Sequence, residues 1–170
     1  MMRLPRRSRP PRPVPVGRGE RVLSWCSTRD GRVLAGTGAA LYATSDTAEA
    51  LRIPWERVES ARWQSEDQSL VVEEMADYGR PRPRHTFQVD EPGLLLQLVR
   101  ERVTASIVWQ RHVPVTGKHG VRIIGRRAPG AHGSVTWFYE FDEQLDPADP
   151  QVRQAAERAL ARAREGLGEH

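Results

Sequence analysis

Gly36-Thr37-Gly38-Ala39-Ala40 has the opening spacing of a glycine loop that cradles phosphate. Such a loop needs glycines for close backbone approach to a pyrophosphate, then a helix N-terminus aimed at it. Leu41 stands where the third glycine should be, and Thr44-Ser45-Asp46 interrupts the helix that should follow. The pair reads as a hairpin turn, and no cofactor is expected. Asp142, Glu143, Asp146 and Asp149 are dense enough to suggest a hard cation, which wants several converging carboxylates. They lack calcium-loop spacing and stand before a helix, where acids favour the positive end of its dipole. No metal is expected there. His85, His112, His119, His132 and His170 include no pair at zinc-ligand spacing. Cys26 has no second cysteine, which removes both a disulfide and a two-cysteine redox motif. No Gly-x-Ser-x-Gly elbow occurs. No catalytic residue is assigned.

Two other sets carry binding chemistry. Arg80, Arg82 and Arg84, interleaved with Pro81 and Pro83, put three guanidinium groups on one loop. They are the candidate contact for an anion or an acidic partner. Trp137, Tyr139 and Phe141 share one strand face, and Phe138 takes the other. A strand with aromatics on both faces is buried twice or shows one face to a partner, so this row is the candidate partner face.

The 170 residues are 38% hydrophobic and 28% charged, enough for about one ordinary domain that folds without disulfides. The lone cysteine excludes a secreted disulfide scaffold. No apolar run approaches a membrane span, and no apolar core follows the first arginines, as a signal peptide requires. A cytoplasmic location is expected. The net charge of +4 invites a nucleic-acid reading. Its distribution weakens that. Residues 1–19 hold Arg3, Arg6, Arg7, Arg9, Arg12 and Arg18 and no acid. Removing those six from 26 basic residues leaves 20 against 22 acids, a net of −2 for the body. The tail also carries Pro5, Pro10, Pro11, Pro13 and Pro15, which fix φ and remove donors. Residues 1–19 read as a disordered Arg/Pro-rich tail.

From Glu20 the chain alternates short strands with turn signals. Strands are expected over 21–28, 32–36, 41–44, 51–54, 58–64, 70–75 and 85–89, with Asp30-Gly31 as a type I′ hairpin turn. Residues 76–84 read as a loop. Leu95, Leu98, Val99 and Val103 then repeat at three and four, which predicts a helix over 91–104 capped by Asp90. Three antiparallel strands follow over 107–115, 121–127 and 135–142. The last helix has Asp149 as cap, Pro150 at its first position, Gly166 as its stop, and Val152, Ala155, Ala156, Ala159, Leu160 and Ala163 on its buried face.

Seven strands closed by one helix is the element order of the pleckstrin-homology (PH) superfold. Ile53-Pro54-Trp55-Glu56-Arg57-Val58 resembles the Ile-Pro-aromatic-acid-x-Ile segment of bacterial PH-like domains. The whole chain is similar to a group of actinobacterial proteins of comparable length. The resemblance covers residues 20–104. It implies an α+β fold: a split β-barrel capped by a helix. A three-stranded antiparallel sheet and C-terminal helix (105–170) would follow as an extension packed on the barrel. It also implies binding or scaffolding rather than catalysis. The expected function is a non-enzymatic protein- or peptide-binding module, monomeric or weakly dimeric, using a strand edge, groove or aromatic face. Two alternatives stand beside it. One is an anionic lipid or nucleic-acid binder acting through the tail. The other is a small-molecule binder or enzyme with a pocket between barrel and rear sheet, lined by Arg111, His112, Arg122 and Tyr139.

Overall fold

In the computed structural model, which describes residues 9–46, 49–76 and 80–168, short alternating segments fold as antiparallel strands. The protein is α+β, with three antiparallel sheets and two helices among the described residues. It divides into two compact units, Met1–Val103 and Thr104–His170.

In the first unit, β1 (Ser24–Ser27), β2 (Val33–Gly36), β3 (Ala40–Ala43) and β4 (Leu51–Pro54) form a four-stranded meander. A 3₁₀ turn at Trp55–Arg57 leads into β5 (Val58–Gln64), β6 (Ser69–Glu74) and β7 (Arg84–Gln88), a three-stranded meander. Helix α1 spans Leu95–Ser106. Leu34, Ile53, Trp55, Val72, Phe87 and Leu95 come from both sheets, the 3₁₀ turn and the helix, and they share one core. Burial of such side chains contributes roughly 1.5–3 kcal/mol each.

Two local expectations are corrected. Among the described non-glycine residues only Gln68 has positive φ, so Asp30 does not meet the type I′ requirement. Instead Gly31 N–H bonds to Thr28 O, and Thr28 N–H bonds to Arg32 O. That is a type I turn followed by a left-handed glycine bulge at Gly31 (φ +82). The helix expected from residue 91 starts instead at Leu95, because Gly93 takes φ +53 and breaks the helical path. Asp90, expected as its cap, pairs with Arg29 at 2.7 Å.

Close packing explains the glycine at 36, whereas a Cβ at Gly38 would meet open space. A Cβ on Gly36 would lie 2.6 Å from Leu98 Cδ2 and 3.3 Å from Leu95 Cδ1. The missing side chain is what lets α1 rest on the sheet. No helix follows the pair: the chain turns and enters β3.

The tail–body boundary lies near Gly17. Residues 9–16 form no helix or strand, and Arg3, Arg6 and Arg7 lie outside the described residues. Gly17 N–H donates to Tyr42 Oη at 3.0 Å. The anchor exists because Glu20 is surrounded by donors. Thr37 Oγ1 and Tyr42 Oη each donate to it at 2.6 Å, and Arg52 Nη2 lies 3.7 Å away. Burial raises its pKa, but those hydroxyls and the cation outweigh burial and hold the carboxyl below its usual value.

In the second unit, β8 (Ile107–Thr116), β9 (His119–Arg126) and β10 (Thr136–Phe141) form a sheet in the order β10-β9-β8. Helix α2 (Pro150–Gly166) packs on β8 and β9. Asp149 caps it, its side chain accepting Gln151 N–H at 2.8 Å. Gly166 does not stop it; the helix closes at Leu167, and Gly168 is the left-handed residue.

Two outcomes follow for the first unit. Gly36→Val overpacks the α1 contact and lowers unfolding free energy by about 1–3 kcal/mol in urea melts; an unchanged midpoint contradicts that contact. Glu20→Gln costs roughly 1–3 kcal/mol at neutral pH, because buried donors lose a charged acceptor. The folded pKa is depressed, so the carboxylate's contribution is present above its unfolded pKa. It fades as pH falls through the folded value. Wild type and variant therefore converge in acid melts, and a gap independent of pH contradicts the assignment.

Candidate functional site: the β8–α2 cleft

Strand alternation sends Trp109, Arg111 and Val113 of β8 toward α2. The register carries this across the sheet. Trp109 and Trp137 flank Gly125 from either side and meet edge to face at 5.7 Å. A Cβ on Gly125 would lie 2.9 Å from Trp137 Cζ3. Val121, Ile123, Ala156, Ala159 and Ala163 form the core between sheet and helix, with Trp109, Trp137, Tyr139 and Phe141 packed against it.

The candidate partner face, Trp137, Tyr139 and Phe141, is therefore lined up beneath this chain's own α2. Burial and Glu157 on α2 push the Tyr139 phenol above its ordinary pKa. Phe138, on the other face, is 7% exposed.

The alanine face of α2 does not cover the whole sheet. A cleft of about 280 Å³ opens where the helix meets β8. Trp109, Val113 and Pro114 form one wall, and Ala155, Ala159 and Ala163 form the other. Arg111 from the strand and Arg158 and Arg162 from the helix complete the lining, with no acid among its residues. All three arginines are exposed. None has an ion-pair partner within 4.0 Å among the described residues. Beside the cleft, β8 is an edge strand of ten residues. Its ladder is irregular at Ile107/Trp109 and Pro114/Thr116, which leaves Trp109–Pro114 as the regular stretch.

The remaining sequence candidates lie elsewhere. Arg82 pairs with Glu59 at 2.8 Å, and Arg84 lies 3.8 Å from Glu73. Two of the three loop arginines thus already face carboxylates; Arg80 is exposed, and Gly79 of that loop lies outside the described residues. Of the four residues expected to line one pocket, Arg111 and His112 border the cleft. Arg122 lines a separate hollow of about 310 Å³ with Glu140 and Asp142, and Tyr139 lies under α2, so the four do not converge. The His112 side chain reaches Asp142 Oδ2 at 3.1 Å, and Gly120 N–H donates to the same oxygen at 2.7 Å. The Gly120 amide, then His112, hold the Asp142 carboxyl below its usual pKa.

His85 meets Glu74 at 2.7 Å, and His170 lies outside the described residues. Among the described residues no group of three His, Cys, Asp or Glu converges as metal ligands. No described helix is long and apolar enough to cross a membrane. Cys26 is buried, and burial pushes its thiol up to about 12. At that value it stays protonated and supplies no thiolate.

Arg158 and Arg162 are the site residues that the sequence reading missed, because charged residues opposite an apolar stripe read as a solvated face. A signal was present. They stand four apart beside the alanine stripe, and Arg158 has Gln154 and Arg162 rather than an acid at the spacing of a helix ion pair.

Comparison of the chain with family models, curated proteins and solved structures finds no match.

Proposed function

We propose that this protein is a non-enzymatic, cytoplasmic binding module that takes an extended peptide segment along the free edge of β8. The observation that carries this reading is the regular stretch Trp109–Pro114 on an edge strand bordering a cleft. An edge strand presents unpaired N–H and C=O groups that a further strand satisfies, while flanking pockets read alternate side chains. Pro114 has no N–H, so it ends the pairing on that side. The cleft lies just below the ~300–1,000 Å³ usual for small-molecule sites, which suits one or two side chains of a bound strand better than a whole ligand.

We read the first unit as a PH-like split barrel. Strands in a four-plus-three order, a following helix and one core shared by all three layers support it. Arg29 N–H bonds to Gln88 O at 2.9 Å, joining the end of β1 to the end of β7. A fold of that kind accords with binding, though the site itself must carry the function.

Two hexapeptides test the edge, one alternating threonine with valine and one alternating glutamate with valine. At least one should shift the ¹⁵N–¹H signals of Trp109–Val113 in the full chain, and its twin with alternate backbone amides methylated should not. Shifts from neither peptide, or equal shifts from methylated and unmethylated forms, contradict strand addition.

A further inference from the structure

The partner's chemistry can be read from the charges around the cleft, on the reading that β8 accepts a strand. Several arginines in this protein have found a carboxylate: Arg29 pairs with Asp90, Arg32 with Asp30, Arg62 with Glu73 and Arg82 with Glu59. Arg111, Arg158 and Arg162 have not, although they come from two elements and line one concavity. The body of the chain is slightly acidic, with 20 basic residues against 22 acids after the tail is removed from the count. A cleft lined by three cations and no acid is therefore a local feature and does not follow from overall composition.

Like charges in one concavity repel, and low-dielectric walls strengthen the field they make there. Trp109, Ala159 and Ala163 supply such walls. A guanidinium binds a carboxylate through two parallel hydrogen bonds, and several around one hollow fix its position. The geometry of β8 decides where that carboxylate must come from. In a strand paired with β8, every second side chain points to the α2 face, the face that Arg111 occupies.

We propose that the occupant of the β8–α2 cleft is an acidic extended peptide. Its backbone pairs with Trp109–Pro114, and the carboxylates on its α2-facing side chains are held by Arg111, Arg158 and Arg162. A neutral strand satisfies the backbone and leaves the three cations unpaired. Charge thus selects the partner, and backbone pairing provides the shared framework.

The two hexapeptides separate this inference from the reading beneath it. Calorimetry on the full chain should give at least about tenfold tighter binding for the glutamate peptide than for the threonine peptide at low salt. The difference should shrink several-fold as ionic strength rises from about 0.05 to about 0.5 M. The triple variant Arg111→Gln/Arg158→Gln/Arg162→Gln should bind both peptides with the affinity that wild type shows for the neutral one. These positions are exposed, so the fold should be kept, as signal dispersion will report; Arg158→Gln alone serves if it is not, with a partial loss expected. Equal affinity for both peptides in wild type overturns the charge selection and leaves strand addition standing. Binding of neither overturns both. Gel filtration at the same concentrations reads whether a second copy takes the cleft, and a dimer that the acidic peptide does not dissociate overturns the proposal.

Discussion

The small side chains on one face of α2 set the geometry of everything around the cleft. Ala156, Ala159 and Ala163 are buried against Val121 and Ile123, so the helix lies low on the sheet. Low seating brings the residues flanking that face down to the level of the strand. Arg158 and Arg162 then rim the hollow beside β8 and do not stand clear of it. Larger residues on the alanine face would overpack the contact, and interiors tolerate extra methylenes poorly. The Trp109–Trp137 contact over Gly125 fixes the floor from the sheet side. Aromatic pairs of this kind add about 0.5–1.5 kcal/mol beyond the area they bury.

Charge has two different roles in the two units. Around the first unit's sheets most guanidinium groups face a carboxylate across a strand or a turn. Exposed pairs of this sort contribute little to stability, roughly 0–1 kcal/mol. Their effect is to offset the local field, and in the Arg80–Arg84 run, the densest basic run outside the tail, Arg82 and Arg84 face Glu59 and Glu73. The cleft in the second unit has the opposite arrangement, since its arginines are spread through the sequence and gathered by the fold. The Glu20 network is a third case. Its charge is nearly enclosed and fully engaged, and it fastens the end of the tail to Tyr42 and Thr37.

The order of strands and helices was legible because the hydrophobic period changes from two to about 3.6 near residue 90 and again near 150. Asp149 and Pro150 marked the start of α2 directly, since cap chemistry is local. The first helix was harder. Asp90 has the chemistry of a cap, but the competing partner, Arg29, is far away in sequence, and Gly93 takes a conformation that nothing in its spacing announces. The Asp30-Gly31 turn was placed correctly and typed wrongly, because the dipeptide suits two turn geometries and the strand ends choose between them. The aromatic row at Trp137, Tyr139 and Phe141 was found as a face, but which element lies against it is a tertiary fact. The cleft itself was not legible. Arg111 and His112 were picked out for a pocket between barrel and rear sheet, while Arg158 and Arg162 become site residues only once α2 is seated on β8.

Nuclear Overhauser contacts between the glutamate–valine hexapeptide and the full chain bear most directly on the open edge of β8. Strand addition predicts backbone-to-backbone contacts from peptide α protons to the Trp109–Val113 segment, with glutamate side-chain protons near Arg111 and Arg158. Contacts confined to the outer surface of α2 or to the first unit, at saturating peptide, would contradict it.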